Sequence, residues 1–182
     1  MKPRAPGYNG TVSEDPQSAQ HEFGIEIVRE GEKTTVSAPL RLDAERCYEL
    51  FCDVDTIPKW LSVVRSTAVR KRDKQGRALD VAFLGSLQRA SVGYSLRYSY
   101  DDEAREVRWH HGGGGVEQLA GSACFEPRAD GGCILHYALL TELPDRLPPW
   151  ADELYQKDPA ETVVIDFCEW VDSHDQERDD DA

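Results

Sequence analysis

The side chains best suited to chemistry in this sequence are aromatic and alternate along two neighbouring strand-like segments. In residues 91–100 every second position is apolar or aromatic, and a strand places such positions on one face of a sheet. The next segment alternates in the same way as far as His111. Two interpretations remain open: packing of these rings in a core, or an amphipathic pocket whose hydroxyls orient an apolar ligand. The residues predicted to project to the concave side are Tyr94, Tyr98, Tyr100, Trp109, His111 and Tyr137.

His111 and Tyr98 are the candidate catalytic residues, because a histidine beside tyrosines can donate or accept a proton. The alternative is that His111, near the end of a strand and beside four glycines, is simply partly solvated. Adjacent strand residues point to opposite faces, so His110 and His111 cannot bind one metal ion together. The sequence therefore predicts no metal site, and we expect no cofactor.

The glycine run Gly112 to Gly115 predicts a turn between two strands. It lacks the Gly-Lys-Ser/Thr sequence that a phosphate-binding loop requires. The turn is either an ordinary hairpin tip or a mobile lid over the mouth of a cavity.

The elements that would position these residues can be followed along the chain. A β-branched strand at 34–38 is followed by short helices at 44–52 and 56–61, and residues 23–28 suit a hairpin partner for that strand. Asp158-Pro159-Ala160-Glu161 is a favourable helix start, and the helix it begins is apolar around most of its girth to about His174. A further short helix is predicted from 148 to 157. The remaining strands are predicted at 63–72, 78–84, 91–100, 107–111, 117–125 and 133–140.

A twisted antiparallel sheet with one apolar face needs a cover, and the last helix is the long apolar element available for it. The sequence predicts an α+β fold in which a curved antiparallel sheet of about seven strands wraps around a long C-terminal helix, with two short helices after the first strand. A curved sheet and a straight helix leave a gap that suits a ligand. The predicted ligand-binding residues are Trp60, Phe83, Tyr94, Tyr98, Trp109, His111, Tyr137 and Phe167.

Composition predicts one domain with polar ends: a leader at 1–20, the domain at 21–174 and an acidic disordered tail at 175–182. The 182 residues include 34 acidic and 21 basic side chains, a formal net charge of −13. Nucleic acids and anionic membranes need clustered cations, so neither is an expected partner. With no bilayer-length apolar stretch, no signal peptide and five cysteines without a CxxC motif, we expect a cytoplasmic protein without membrane insertion, as a monomer or weak homodimer.

Two groups of short motifs carry a family resemblance. The first is Val36-Ser37-Ala38-Pro39, followed after a helix by Asp53-Val54-Asp55 and Pro58-Lys59-Trp60; the second runs from Gly121 through Phe125 and Pro127 to Gly131, Gly132 and Tyr137. In this order they resemble the START/Bet v 1-like (SRPBCC) superfamily, and within it the polyketide cyclase/dehydrase and lipid-transport branch, over about residues 33–174. The resemblance implies a helix-grip fold, the name for a sheet that grips its C-terminal helix.

Three functions remain open. The favoured one is binding or carrying a small hydrophobic or aromatic ligand such as a lipid, quinone or polyketide. The second is a polyketide aromatase/cyclase, but the resemblance implies a pocket-facing arginine where this chain has Leu79, Val81 and Phe83. The coenzyme-Q-binding branch is disfavoured by Trp60-Leu61-Ser62-Val63-Val64, which stands where an aromatic-Leu-Pro-Trp-Cys stretch is expected. The third is a protein-interaction module that uses the acidic surface.

Overall fold

A computed structural model describes residues 23–87, 90–114, 118–142 and 158–180. The predicted leader and the short helix predicted at 148–157 lie outside these residues.

The described chain forms one antiparallel sheet and three helices, which gives the predicted α+β architecture. The strands are β1 (Glu26–Glu30), β2 (Lys33–Leu40), β3 (Val64–Arg72), β4 (Ala78–Leu87), β5 (Ala90–Asp101), β6 (Glu106–Gly114), β7 (Gln118–Pro127) and β8 (Cys133–Glu142), and the helices are α1 (Ala44–Cys52), α2 (Ile57–Trp60) and α3 (Pro159–Asp180).

The sheet has eight strands in the order β1-β2-β8-β7-β6-β5-β4-β3. The prediction of about seven strands was short by one, because the N-terminal hairpin is part of the sheet. Gly31 has φ +61°, which suits the two-residue turn between Glu30 and Lys33. The two short helices consequently follow the second strand, and the last strand, β8, joins this hairpin to the meander of β3 to β7.

The start of α3 is tied to the hairpin by Asp158. One carboxylate oxygen accepts the backbone N–H of Ala160 at 2.9 Å, as an N-cap residue does. The other accepts from Arg29 Nε at 2.9 Å and from the Thr34 hydroxyl at 3.1 Å. The predicted helix start is therefore confirmed, and the same side chain fixes the helix against β1 and β2.

α3 covers one side of the concave face. Its backbone packs against β2, β8 and both short helices, and among the described residues it does not pack extensively against β4, β5 or β6. The buried stripe of α3 consists of Ala160, Val164, Phe167, Cys168 and Val171. Among the described residues, no helix packs extensively against the inner surface of β4 to β6.

Two predicted boundaries were wrong. α3 continues to Asp180 rather than ending near His174, because a nucleated helix gains a hydrogen bond with each added residue after its apolar stripe ends. β6 continues through Gly114, within the predicted turn, because a bulge at Gly112 absorbs one residue between His111 and Gly113. Within the described residues no helix is both long enough and apolar enough to cross a membrane.

Candidate ligand-binding site

A closed aromatic cluster fills the part of the interior beneath α3. At its centre is Phe51 of α1, a residue that the sequence analysis did not select. Its ring centroid lies 5.1 Å from that of Phe167 and 6.0 Å from that of Trp60. The Trp109 and Tyr137 rings lie 6.1 Å and 6.3 Å away. These four predicted ligand-binding residues are all buried, so their rings serve mainly as the packed base of the site.

Phe51 could have been found from the periodicity of α1. The helix is predicted and observed at Ala44–Cys52, and its inward positions include Cys47, Tyr48 and Phe51. Asp43 caps it as predicted, accepting the backbone N–H of Arg46 at 2.9 Å. The periodicity of α1 does not predict that the helix packs over β7 and β8. This packing brings Phe51 to the centre of the cluster.

A second group of aromatic residues lies on β4 and β5, away from the closest packing of α3. Phe83 and Tyr94 stack with centroids 5.2 Å apart and an interplanar angle of 5°. Tyr98 lies 6.3 Å from Trp109. Phe83 is buried, but Tyr94 and Tyr98 are only partly buried although they face inward. These two tyrosines are therefore the predicted residues placed best to contact a ligand.

Tyr100 has a structural role instead. Its hydroxyl donates to the backbone carbonyl of Ala78 at 2.7 Å. The Arg77 guanidinium lies 4.7 Å from the centroid of its ring and forms ion pairs with Asp73 and Asp102. Because its proton is engaged in this bond, the Tyr100 hydroxyl does not donate to a ligand.

Three other phenols keep free hydroxyls. Among the described residues, Tyr94, Tyr98 and Tyr137 make no hydrogen bond through the side chain. Burial raises the pKa of Tyr94 to about 12 and raises the pKa of Tyr98 and Tyr137 as well. The Tyr94 phenol is near enough to both others to raise each pKa further. The three groups are neutral phenols that converge from β5 and β8.

His111 adds an unpaired nitrogen to this region. It lies on the inner face of β6 opposite Leu96, between the positions of Tyr94 and Tyr98 on the neighbouring strand. The residue is partly buried, and its Nε2 atom is enclosed without a hydrogen-bond partner in the described structure. His110 is exposed on the opposite face, as the alternation predicts. Leaving a buried polar atom unpaired costs about 1–3 kcal/mol, which a ligand or water can recover.

No described Lys, Arg, Asp or Glu side chain is buried as a whole, although Arg105 Nε and Asp80 Oδ1 are enclosed without a hydrogen-bond partner. Ser95 is the one buried polar or charged side chain among the described residues, and its hydroxyl donates to the carbonyl of Gly113 at 3.2 Å. Cys52, partly buried near Tyr98, has its pKa raised to about 12 by burial, so it is a neutral thiol. In the part of the chain that the structure describes, no group of three or more His, Cys, Asp or Glu is arranged to hold a metal ion.

Comparison with known sequences finds no matching family model and no matching curated protein. Comparison with solved structures shows a shared fold at low sequence identity. A START superfamily protein from Mycobacterium smegmatis matches with a TM-score of 0.69 and 16% identity, over 79% of this chain and 99% of that protein.

Two further solved structures share the fold. Zhui aromatase/cyclase from Streptomyces sp. R1128 has a TM-score of 0.61 and 13% identity, over 84% of this chain and 94% of that protein. Ara h 8.0201 has a TM-score of 0.58 and 15% identity, over 82% of this chain and 99% of that protein. The chain has a START/Bet v 1-like helix-grip fold, which confirms the predicted fold class.

Proposed function

We propose that this protein binds or carries a small hydrophobic or aromatic ligand, of a lipid, quinone or polyketide type, between the concave face of the sheet and α3. The observation that carries the proposal is the inward orientation and partial burial of Tyr94, Tyr98 and His111. All three face inward on β5 and β6, outside the closest packing of α3, and are only partly buried. Aromatic walls with a few unpaired polar atoms are the usual lining of a small-molecule site.

A neutral fluorescent probe such as N-phenyl-1-naphthylamine tests the proposal. We expect saturable binding of one probe per protein, with energy transfer from tryptophan because Trp109 lies 6.3 Å from Tyr98, centroid to centroid. Tyr98→Ala is expected to weaken binding, since it removes part of the wall. Leu84→Ser is the matched control, because Leu84 is 40% exposed and belongs to the outward-facing positions of β4.

Two results would contradict the proposal. Absence of saturable binding by any apolar probe would argue against an internal site and favour the interaction module. Binding that is lost in Leu84→Ser but retained in Tyr98→Ala would place the probe on the outer surface. Cytoplasmic location and a monomeric or weakly dimeric state remain predictions that accompany the proposal.

A polyketide aromatase/cyclase is the second candidate, favoured by the enclosed and unpaired Nε2 of His111, a residue diagonal to Tyr98 in the pairing of β5 and β6. Proton transfer by such a group contributes about 10²–10⁴-fold to a rate. A poly-keto substrate assayed for turnover and for binding separates the two functions. For a cyclase, His111→Ala and Tyr98→Phe abolish most turnover while binding survives. For a carrier, the wild-type protein binds the substrate without converting it.

A further inference from the structure

We infer that the proposed site selects neutral ligands that carry a hydroxyl or carbonyl oxygen, and that it discriminates against both plain hydrocarbons and carboxylates. The chemical class is an aromatic alcohol, phenol or ketone rather than a fatty acid. This specificity rests on the proposed function, because it describes the ligand of the same site.

The unpaired hydrogen-bonding atoms determine the preference for an oxygen-bearing ligand over a plain hydrocarbon. A phenol hydroxyl can both donate and accept, and a neutral histidine nitrogen can do one or the other. Tyr94, Tyr98 and Tyr137 have free hydroxyls among the described residues, and His111 Nε2 is enclosed without a partner. A hydrocarbon in this space leaves all of them unpaired, whereas a ligand oxygen pairs with at least one.

The arrangement of the strands brings these atoms together across the concavity. Tyr98 and Tyr137 belong to β5 and β8, which are separated in the sheet by β6 and β7. Trp109 lies between them, with ring centroids 6.3 Å from Tyr98 and 5.5 Å from Tyr137. A side chain at Gly121 would collide with the Trp109 ring, since a Cβ there would lie 2.5 Å from it. The Trp109 ring therefore lies against the backbone of β7 at Gly121, between the phenols of Tyr98 and Tyr137.

The lack of buried charged residues in the described interior determines the discrimination against carboxylates. None of the described Lys, Arg, Asp or Glu side chains is buried as a whole, and the enclosed Nε of Arg105 belongs to the turn before β6. Among the described residues, β5 and β8 therefore offer no buried counterion to a bound carboxylate. Arg77, the guanidinium that lies over the Tyr100 ring, forms ion pairs with Asp73 and Asp102. Burial raises the phenol pKa values, which is the response of an environment that disfavours negative charge. A carboxylate entering this space exchanges its hydration for hydrogen bonds from neutral phenols, without a buried counterion among the described residues of these strands.

Three ligands of similar shape test the inference: naphthalene, 2-naphthol and 2-naphthoate, each competing with N-phenyl-1-naphthylamine on the full chain at neutral pH. The hydrocarbon and the alcohol are neutral under these conditions, and the acid is ionised. We expect 2-naphthol to bind about 3- to 10-fold more tightly than naphthalene, the factor for one net hydrogen bond. We expect 2-naphthoate to bind at least about 10-fold more weakly than 2-naphthol.

Single Tyr→Phe variants identify the partner of the ligand oxygen. Tyr94→Phe, Tyr98→Phe or Tyr137→Phe is expected to remove the preference for 2-naphthol while the affinity for naphthalene stays unchanged. Tyr100→Phe is the matched control, because its hydroxyl is already bonded to Ala78. The wild-type comparison needs no variant, so a variant that fails to fold leaves the test intact.

Each alternative outcome has a distinct meaning. If naphthalene binds as tightly as 2-naphthol, or 2-naphthoate binds as tightly as either, the selectivity is refuted and the proposed ligand-binding function stands. If the three Phe variants keep the full preference for 2-naphthol, the assignment to these phenols is refuted. If neither the probe nor any naphthalene derivative binds, the proposed function fails and the selectivity with it.

Discussion

Replacing Phe167 with alanine tests the packing on which the site is built. The ring is fully buried on α3, with its centroid 5.1 Å from that of Phe51, 5.3 Å from that of Trp60 and 6.0 Å from that of Phe125. Truncating a buried phenylalanine costs about 3–5 kcal/mol, through lost transfer energy and the remaining cavity. We expect the upper half of that range, because the neighbouring rings belong to α1, α2 and β7, and the cavity cannot collapse unless these elements move together.

Equilibrium urea unfolding, followed by tryptophan fluorescence and far-UV circular dichroism, measures the loss. Phe167→Leu is the control, since it keeps most of the buried volume and is expected to lose less than about 1.5 kcal/mol. Val163→Ala, at a partly buried position of the same helix, should lose less than Phe167→Ala. A loss below about 1 kcal/mol for Phe167→Ala would mean that the ring is not enclosed, and would refute the described packing of α3.

Three further perturbations follow from the structure. Asp158→Ala removes an N-cap and the hydroxyl contact from Thr34, so thermal unfolding is expected to show a loss of about 1–2 kcal/mol; an unchanged melting temperature would argue against this contact. Gly121→Ala is expected to lower the melting temperature and alter tryptophan fluorescence, because the new Cβ would lie 2.5 Å from the Trp109 ring; a wild-type spectrum and stability would contradict that proximity. Burial raises the pKa of Tyr94 to about 12 from its ordinary value near 10, so this phenol loses its proton first in the unfolded state. The contribution of the protonated phenol to the free energy of unfolding is therefore complete below about pH 10 and is lost as the pH rises to about 12. Urea unfolding across this range should show a shallower decline for Tyr94→Phe, and an identical decline would refute the assignment.

The fold was largely predictable because its elements have strong local signals. Alternation over residues 91–100 predicted most of β5, and the cap at Asp158 with the apolar stripe from Ala160 predicted α3. The hairpin strand β1 was underestimated, because a five-residue strand with a mostly exposed surface carries little periodic signal. The bulge at Gly112 was missed because a run of glycines has the same appearance in a turn and in a bulged strand.

The candidate site was less predictable than the fold. Alternation correctly placed Tyr94, Tyr98, Trp109 and His111 on the inner face, but it cannot distinguish a ring that touches other rings from one that faces open space. Trp109 is buried among aromatic neighbours, whereas Tyr98, on the next strand and directly opposite, is only partly buried. The difference arises from α1 and α3, which lie closer to β7, β8 and β2 than to β5.

The sequence by itself determined the types of the elements, the inward phase of each long strand and the start of the covering helix, because these depend on contacts between residues near one another in the chain. The tertiary structure alone decided that Phe51 packs at the centre of the aromatic cluster and that the Tyr100 hydroxyl donates to the carbonyl of Ala78. It also decided that the phenols of Tyr98 and Tyr137 converge from strands far apart in sequence. Those relations depend on how a curved sheet and its helix fill space, and no local pattern encodes that packing.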